Sequence, residues 1–455
     1  MSLDLPKMIE LGQDVVSRAQ KQGATVAECA VHDGAHLSAK VRLGDPELVE
    51  EAASRSVGLR VMIGQKVAVT YTSDLTAGGI ARLIEDAIEL AQLSQPDPFA
   101  GPPDASLLSQ TSQHQELDLF DPGVDGVDAA EAVRRATLAE KAAMTHDKRI
   151  TNTEGATFTR VSGASALVTS GGFRGATRGT YASLVVSPVV DDEGGKKRSG
   201  YYWSSRRHLA DLEDDEAVGI EAARRTLRKL GARKVESQEV PVIFDPDAAR
   251  SIVGLIASCI HGGSIWRRSS YLLDRVGTPV ASEHVSIVDD PLIPRGPGSR
   301  PYDGEGLLSR KNSIIERGVL QSYQLDSYSA RKLQLESTAN ASRGSSGGVG
   351  VGSTNFHLLA GTLSPEQIIR STKRGLYVTS MMGFGFNAVT GDFSRGASGF
   401  WIENGELAFP VSEVTISLNL DQLLKRIDAV GSDLDPKTSI AAPTFRVSSM
   451  TLAGK

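Results

Sequence analysis

Residues 240–277 read VPVIFDPDAARSIVGLIASCIHGGSIWRRSSYLLDRVG. Val240–Phe244 is a β-branched and aromatic run of strand type, and Asp245 stands one residue before Pro246, the order of an N-cap followed by proline in the first helical turn. From Ala248 onward, Ala249, Ile252, Val253, Ile256, Cys259 and Ile260 recur at intervals of three and four, which predicts one apolar face. Gly262-Gly263 then predicts a left-handed exit. The segment is thus a strand followed by an amphipathic helix of about 15 residues.

Two later stretches extend the reading. Ser337–Ala341 is STANA, and Met382–Glu406 is MGFGFNAVTGDFSRGASGFWIENGE. Together with the helix they resemble the TldD/PmbA (TldE) family, formerly called modulators of DNA gyrase and regarded as intracellular metalloproteases. The resemblance spans nearly the whole chain, with its motifs crowded into the second half. In that family the TldD-type subunit carries His-Glu, three residues, then His on this helix, and a late cysteine. Alignment back from Arg275-Val276-Gly277 puts Val253, Gly254 and Ser258 on those positions. Residues 431–454 hold no cysteine. The chain therefore resembles the PmbA/TldE branch, the metal-free partner. The resemblance implies a cytosolic complex with a TldD-type subunit that carries the zinc, a peptide substrate held between them, and self-association of this chain when alone. A self-sufficient peptidase using His261, His284 or His357, or a regulator acting on DNA gyrase, are the rival readings.

Composition sets bounds on these. At 455 residues the chain exceeds the size of one core, so two or three domains are expected. A formal charge of -6 does not fit a chain built to neutralise phosphates, so nucleic acid is not the expected partner. Cys29 and Cys259 read as buried thiols, which fits a reducing cytoplasm. The N-terminus carries acids in place of a basic leader. No apolar run reaches the roughly 18 to 20 residues of a membrane span.

Taken in order, residues 5–22 have helical spacing closed by Gly23. Residues 25–71 show short alternating runs broken by Gly34, Gly44 and Gly64, which predicts an antiparallel sheet, and 75–93 predicts a helix covering it. The polar stretch 94–126 is a surface crossing. Helices are expected over 128–145 and 214–230, with strands between 149 and 188. The expected units are 1–95, 115–232 and 236–455. The fold class is α+β: helices over antiparallel sheets, then a β-rich, barrel-like C-terminal domain with an inserted amphipathic helix.

Candidate sites divide by chemistry. Asn387, Asp392, Arg395 and Trp401, spaced by glycines, suit the grip of an extended peptide at a strand edge; a tight hairpin uses the same residues for its turn. His261, Trp266, Arg267 and Arg268 follow the helix end, where cations complement the dipole; the resemblance adds His261, Trp266 and Arg267 to the substrate-binding set. His32 and His36 fall on one strand face, but two ligands are not a metal site. GKKRSGYYWSSRRH at 195–208 has the composition of a single-strand binding groove, with acids on both sides that cancel it. Gly344–Gly348 matches a nucleophile elbow in letters but lacks its strand and helix. Gly383–Ala388 matches a loose dinucleotide fingerprint without a following helix.

Overall fold

The computed structural model describes residues 4–455. Helix α1 (Leu5–Lys21) is capped by the Asp4 carboxylate, which accepts from Lys7 N, and it ends ahead of Gly23 at φ 107°. A meander follows: β1 (Val26–Arg42), β2 (Asp45–Ile63) and β3 (Lys66–Thr72). Gly44 and Gly64 turn it at φ 86° and 60°. The short runs expected here are long continuous strands, and Gly34 lies inside β1 rather than interrupting it. Helix α2 (Ala77–Leu93) is capped by Thr76.

The stretch 94–126 contains only one-turn helices. Arg331, from the C-terminal part, straps it down by donating to the carbonyls of Phe99, Gly101 and Pro102. Beyond it come the helix Ala129–His146 and strands β4 (Ile150–Thr169), β5 (Arg174–Asp191), β6 (Lys197–Ser199) and β7 (Tyr202–Arg206), then the helix Asp215–Leu227.

These strands do not form a second sheet. The order is β3-β2-β1-β4-β5-β6, with β7 also on β5, and β1 pairs with β4 from Glu28↔Thr169 to Val41↔Ala156. The expected units 1–95 and 115–232 therefore share one seven-stranded antiparallel sheet. Val31 and Leu37 have the same parity on β1 and so lie on one face. Helices α1 and α2 cover the Val31 half of that face, and the helices Ala129–His146 and Asp215–Leu227 cover the Leu37 half.

In the C-terminal part, β8 (Gln238–Phe244) runs parallel to the strand Arg374–Met382 and antiparallel to Phe445–Ala453. Strands Asp392–Glu403 and Glu406–Asn419 continue the sheet, and Thr415↔Ala453 closes it into a five-stranded barrel. The helix Pro246–Ile260 follows β8 and buries Ile252, Val253 and Ile256 in the same core as Phe244 and Phe445. Its exit differs from the expected left-handed glycine. His261 is extended at φ -61° and ψ 133°, and Gly262 opens a short second helix, Gly262–Trp266. Glycine is needed at 262 for closeness rather than for φ, because a Cβ would sit 2.3 Å from Ser329 Oγ. Cys29 and Cys259 are buried thiols, and burial pushes them up to about 12 and about 11.

Gly219 marks the contact between the two helices over β4 and β5: a Cβ there would meet Ala139 O at 2.1 Å. Helix propensity alone favours alanine at an interior glycine by about 1 kcal/mol, whereas forcing a methyl against backbone costs roughly 1–3 kcal/mol. Gly219→Ala is expected to lower stability by up to about 2 kcal/mol in urea unfolding; an increase would mean that the helices separate without penalty.

Candidate functional site

The site is built on the helix Pro246–Ile260. Asp245 caps it, its Oδ1 accepting from Ala248 N at 2.9 Å. Asp247, Arg250, Ser251 and Gly254 line its half-buried side, and Ser258 is exposed. The three motif positions do not converge. Val253 is 2% exposed and faces the core. A Cβ on Gly254 would meet only Ile440 Cδ1 at 3.7 Å, and Ser258 Oγ donates to its own helix at Leu255 O. Ligands spaced by five residues are turned about 140° apart on a regular helix. A hydrocarbon, a hydrogen and an internally bonded hydroxyl are not a zinc donor set. Among the described residues no group of three or more His, Cys, Asp or Glu is placed to hold a metal ion.

The late segment lies against the open side of this helix. Lys437 Nζ donates to Tyr202 Oη at 2.9 Å, Trp203 O at 3.0 Å and Glu213 Oε1 at 3.1 Å. A cavity of ≈ 160 Å³ opens between Trp203, Arg225, Asp247, Arg250, Lys437 and Ile440. The basic aromatic stretch 195–208 forms one wall of it. Its cations are engaged locally: Lys196 with Glu413, Lys197 with Asp191, Arg198 with Asp192, Arg206 with Asp435. Arg207 donates to the carbonyls of Gly296 and Pro297. Each Lys and Arg of the stretch thus has a protein partner.

The strand that follows the hairpin turn after Met382 bonds to the helix through Arg395. Arg395 Nη1 donates to Ser251 Oγ at 2.9 Å, while its buried Nε has no partner among the described residues. Asn387 and Asp392 serve the turn. Asn387 Oδ1 accepts from Val389 N, and Asp392 accepts from Thr390 Oγ1 and Asn419 Nδ2. Trp401 does not meet the expectation of a substrate contact: it is 2% exposed, a core ring under Arg374, because barrel closure turns it inward. The exposed aromatic is instead Phe384 at the hairpin tip, 98% exposed with Met382 and Val389 beside it. Its position between glycines was the available sequence signal.

Trp266 and Arg267 meet elsewhere, and His261 has separate partners. His261 Nε2 faces Ser353 Oγ at 3.4 Å, and burial holds its pKa below the usual imidazole value. Trp266 lies between Arg267 and Lys332, edge-on to Tyr328. The segment 344–348 is a hairpin turn whose backbone rests on Gly58, not a nucleophile elbow. Residues 383–388 are likewise a turn between antiparallel strands.

Three family models match in tandem: PmbA/TldA metallopeptidase domain 1 over 27–91, the central domain over 122–230 and the C-terminal domain over 237–454. The Escherichia coli O157:H7 metalloprotease PmbA is 37% identical over 94% of this chain and 92% of its own. The chain belongs to the PmbA/TldD metallopeptidase family. Among solved structures, a Bacteroides thetaiotaomicron protein described as a candidate modulator of DNA gyrase superposes with TM-score 0.91 at 26% identity, covering 98% of each chain. TldE from Thermococcus kodakarensis shares the fold, with TM-score 0.87 at 23% identity over 98% of this chain and 100% of its own. Among the described residues, no helix is long and apolar enough to cross a membrane.

The N-cap of the family helix carries its own electrostatic signature. Asp245 is 7% exposed, and burial pushes its carboxyl up to about 7, against the bond from Ala248 N; Asp247 raises it further and Arg225 opposes. A carboxyl raised on folding stabilises the native state below the unfolded value of 3.8, and that contribution is lost as pH rises towards about 7. Asp245→Asn keeps the cap but removes the charge. Relative to wild type, the variant is expected to gain stability between pH 4 and pH 8, by up to about 4 kcal/mol. Denaturant midpoints at the two pH values check this, and a difference independent of pH would contradict it.

Proposed function

We propose that this chain is the PmbA/TldE-type, non-catalytic subunit of a cytoplasmic TldD/TldE-type zinc metalloprotease complex that cleaves small or unfolded peptides. The observation that carries the reading is the set Val253, Gly254 and Ser258 on the family helix, one in the core, one without a side chain, one bonded to its own turn. The metal, and the carbonyl polarisation and water activation it supplies when bound, belong in this reading to the partner's helix. This chain contributes walls and grip. The open helix side, the cavity beside Trp203 and Lys437, and Arg395 with its unfilled Nε offer hydrogen bonds to an extended backbone. The exposed Phe384 on its glycine-flanked turn is the contact we assign to the partner. An acidic chain with its one basic stretch neutralised gives no support to a role on DNA.

The test is hydrolysis of an unfolded peptide by this chain, by a TldD-type partner, and by the mixture, each with and without a chelator. Hydrolysis is expected in the mixture alone, at least about 100-fold above either component, and abolished by the chelator. Full activity from this chain alone, or a partner indifferent to it, would overturn the assignment.

A further inference from the structure

A second cleft lies away from the family helix, on the sheet face that the helices leave open. His32, Gly34 and His36 share that face of β1. The register sets Gly34 beside Gly163 of β4, and Gly163 beside Gly179 of β5. One row of the sheet therefore carries no side chain across three strands. None of these glycines has a positive φ, and a Cβ on Gly34 or Gly163 would meet nothing nearer than 3.6 Å. The backbone does not require glycine at those two positions, and glycine within a strand is destabilising by roughly 0.5–1 kcal/mol relative to alanine. The missing side chains leave a trough of ≈ 550 Å³, with His32 and Ser165 on one bank and His36 and Tyr181 on the other.

On the His32 bank the trough runs into a cavity of ≈ 160 Å³ between the sheet and residues 300–304 and 342–343. Two arginines line it. Arg343 is fixed: its side chain is 5% exposed and bonded to Glu28, Gly304 O and Gly347 O. Arg300 is not. It donates to Ala339 O at 3.3 Å, makes no ion pair among the described residues, and its buried Nε has no partner. The neighbouring acids are occupied by other donors. Asp303 accepts from the amides of Glu305, Leu307 and Ala341, and Asp289 from Thr354 and Asn340. His32 Nε2 is also buried without a partner among the described residues. Two vacant nitrogens thus adjoin one polar cavity, where buried donors are ordinarily bonded.

We propose that this cavity binds the C-terminal carboxylate of a short peptide, Arg300 taking the carboxylate with its planar fork and His32 Nε2–H adding a donor, while the preceding residues lie extended across the glycine trough. The proposal rests on the peptide-holding reading above. Guanidinium–carboxylate recognition is planar and bidentate. A trough crossing four strands, from Ser54 on β2 to Gly179, spans about 15 Å, room for about four extended residues.

The experiment is fluorescence anisotropy of a labelled hexapeptide, as free acid and as C-terminal amide, on the full chain. Wild type is expected to bind the acid at least about 10-fold more tightly than the amide. Arg300→Gln should bring the acid to the amide's affinity and leave the amide unchanged, with its melting point checked alongside. Gly163→Val, whose side chain enters the trough from an unstrained strand position, should weaken both forms without lowering the melting point. Acetate should compete better than inorganic phosphate. Equal affinity for acid and amide on wild type, an acid preference that survives Arg300→Gln, or stronger competition by phosphate would overturn the carboxylate site while leaving peptide holding intact. Failure of both peptides to bind at all would sink both readings.

Discussion

Burial of one face of the helix Pro246–Ile260 holds the C-terminal part together. Ala249, Ile252, Val253, Ile256 and Ile260 leave water against β8 and its barrel neighbours, and each larger side chain contributes on the order of 1.5–3 kcal/mol by area. A position committed to that face cannot also present a ligand to solvent. Val253 is so committed, and Ser258, five residues on, is turned to the outside. A core position and a surface position cannot close on one ion unless the helix itself is broken. In this chain the helix is regular and capped, with one face used for packing and the other left half-buried beside the cavity at Asp247 and Arg250.

The C-terminal part is joined to the long sheet through a buried ion triad, its arginine Arg343 standing on the hairpin strand Ala341–Arg343 outside the barrel. Glu28, 1% exposed, receives Arg60 Nη1 at 3.0 Å and Arg343 from the other side. Burial pushes its carboxyl up, but Arg343 and Arg60 outweigh this and hold it below the usual carboxylate range. Removing one member of such a set strands a charge and typically costs 3–5 kcal/mol. The triad fixes the distance between β1 and the loop at 342–347, and that distance sets the depth of the cleft beside His32. Cleft and interface are thus one construction.

Local features were readable in the sequence and long-range ones were not. Asp245 before Pro246 announces the helix because capping involves residues three apart. Gly44 and Gly64 mark turns because φ is a property of the residue itself. Gly34 misleads: a glycine in a strand and a glycine at a break look alike until the partner strands are known, and one of its two partners, Gly163, stands more than 120 residues away. Trp401 misleads similarly, since only the pairing of Thr415 with Ala453 turns its strand into a barrel wall. Gly262 answers to Ser329, and Arg343 to Glu28, contacts that no spacing rule connects. The motif positions Val253, Gly254 and Ser258 were legible only through the family resemblance, since neither spacing nor composition marks them.

Zinc stoichiometry of the purified chain tests the central claim most directly. After incubation with zinc and dialysis, elemental analysis should find less than about one zinc per ten chains, with no saturable heat on titration. One zinc retained per chain, and lost on substitution of residues at or beside the helix Pro246–Ile260, would contradict the account.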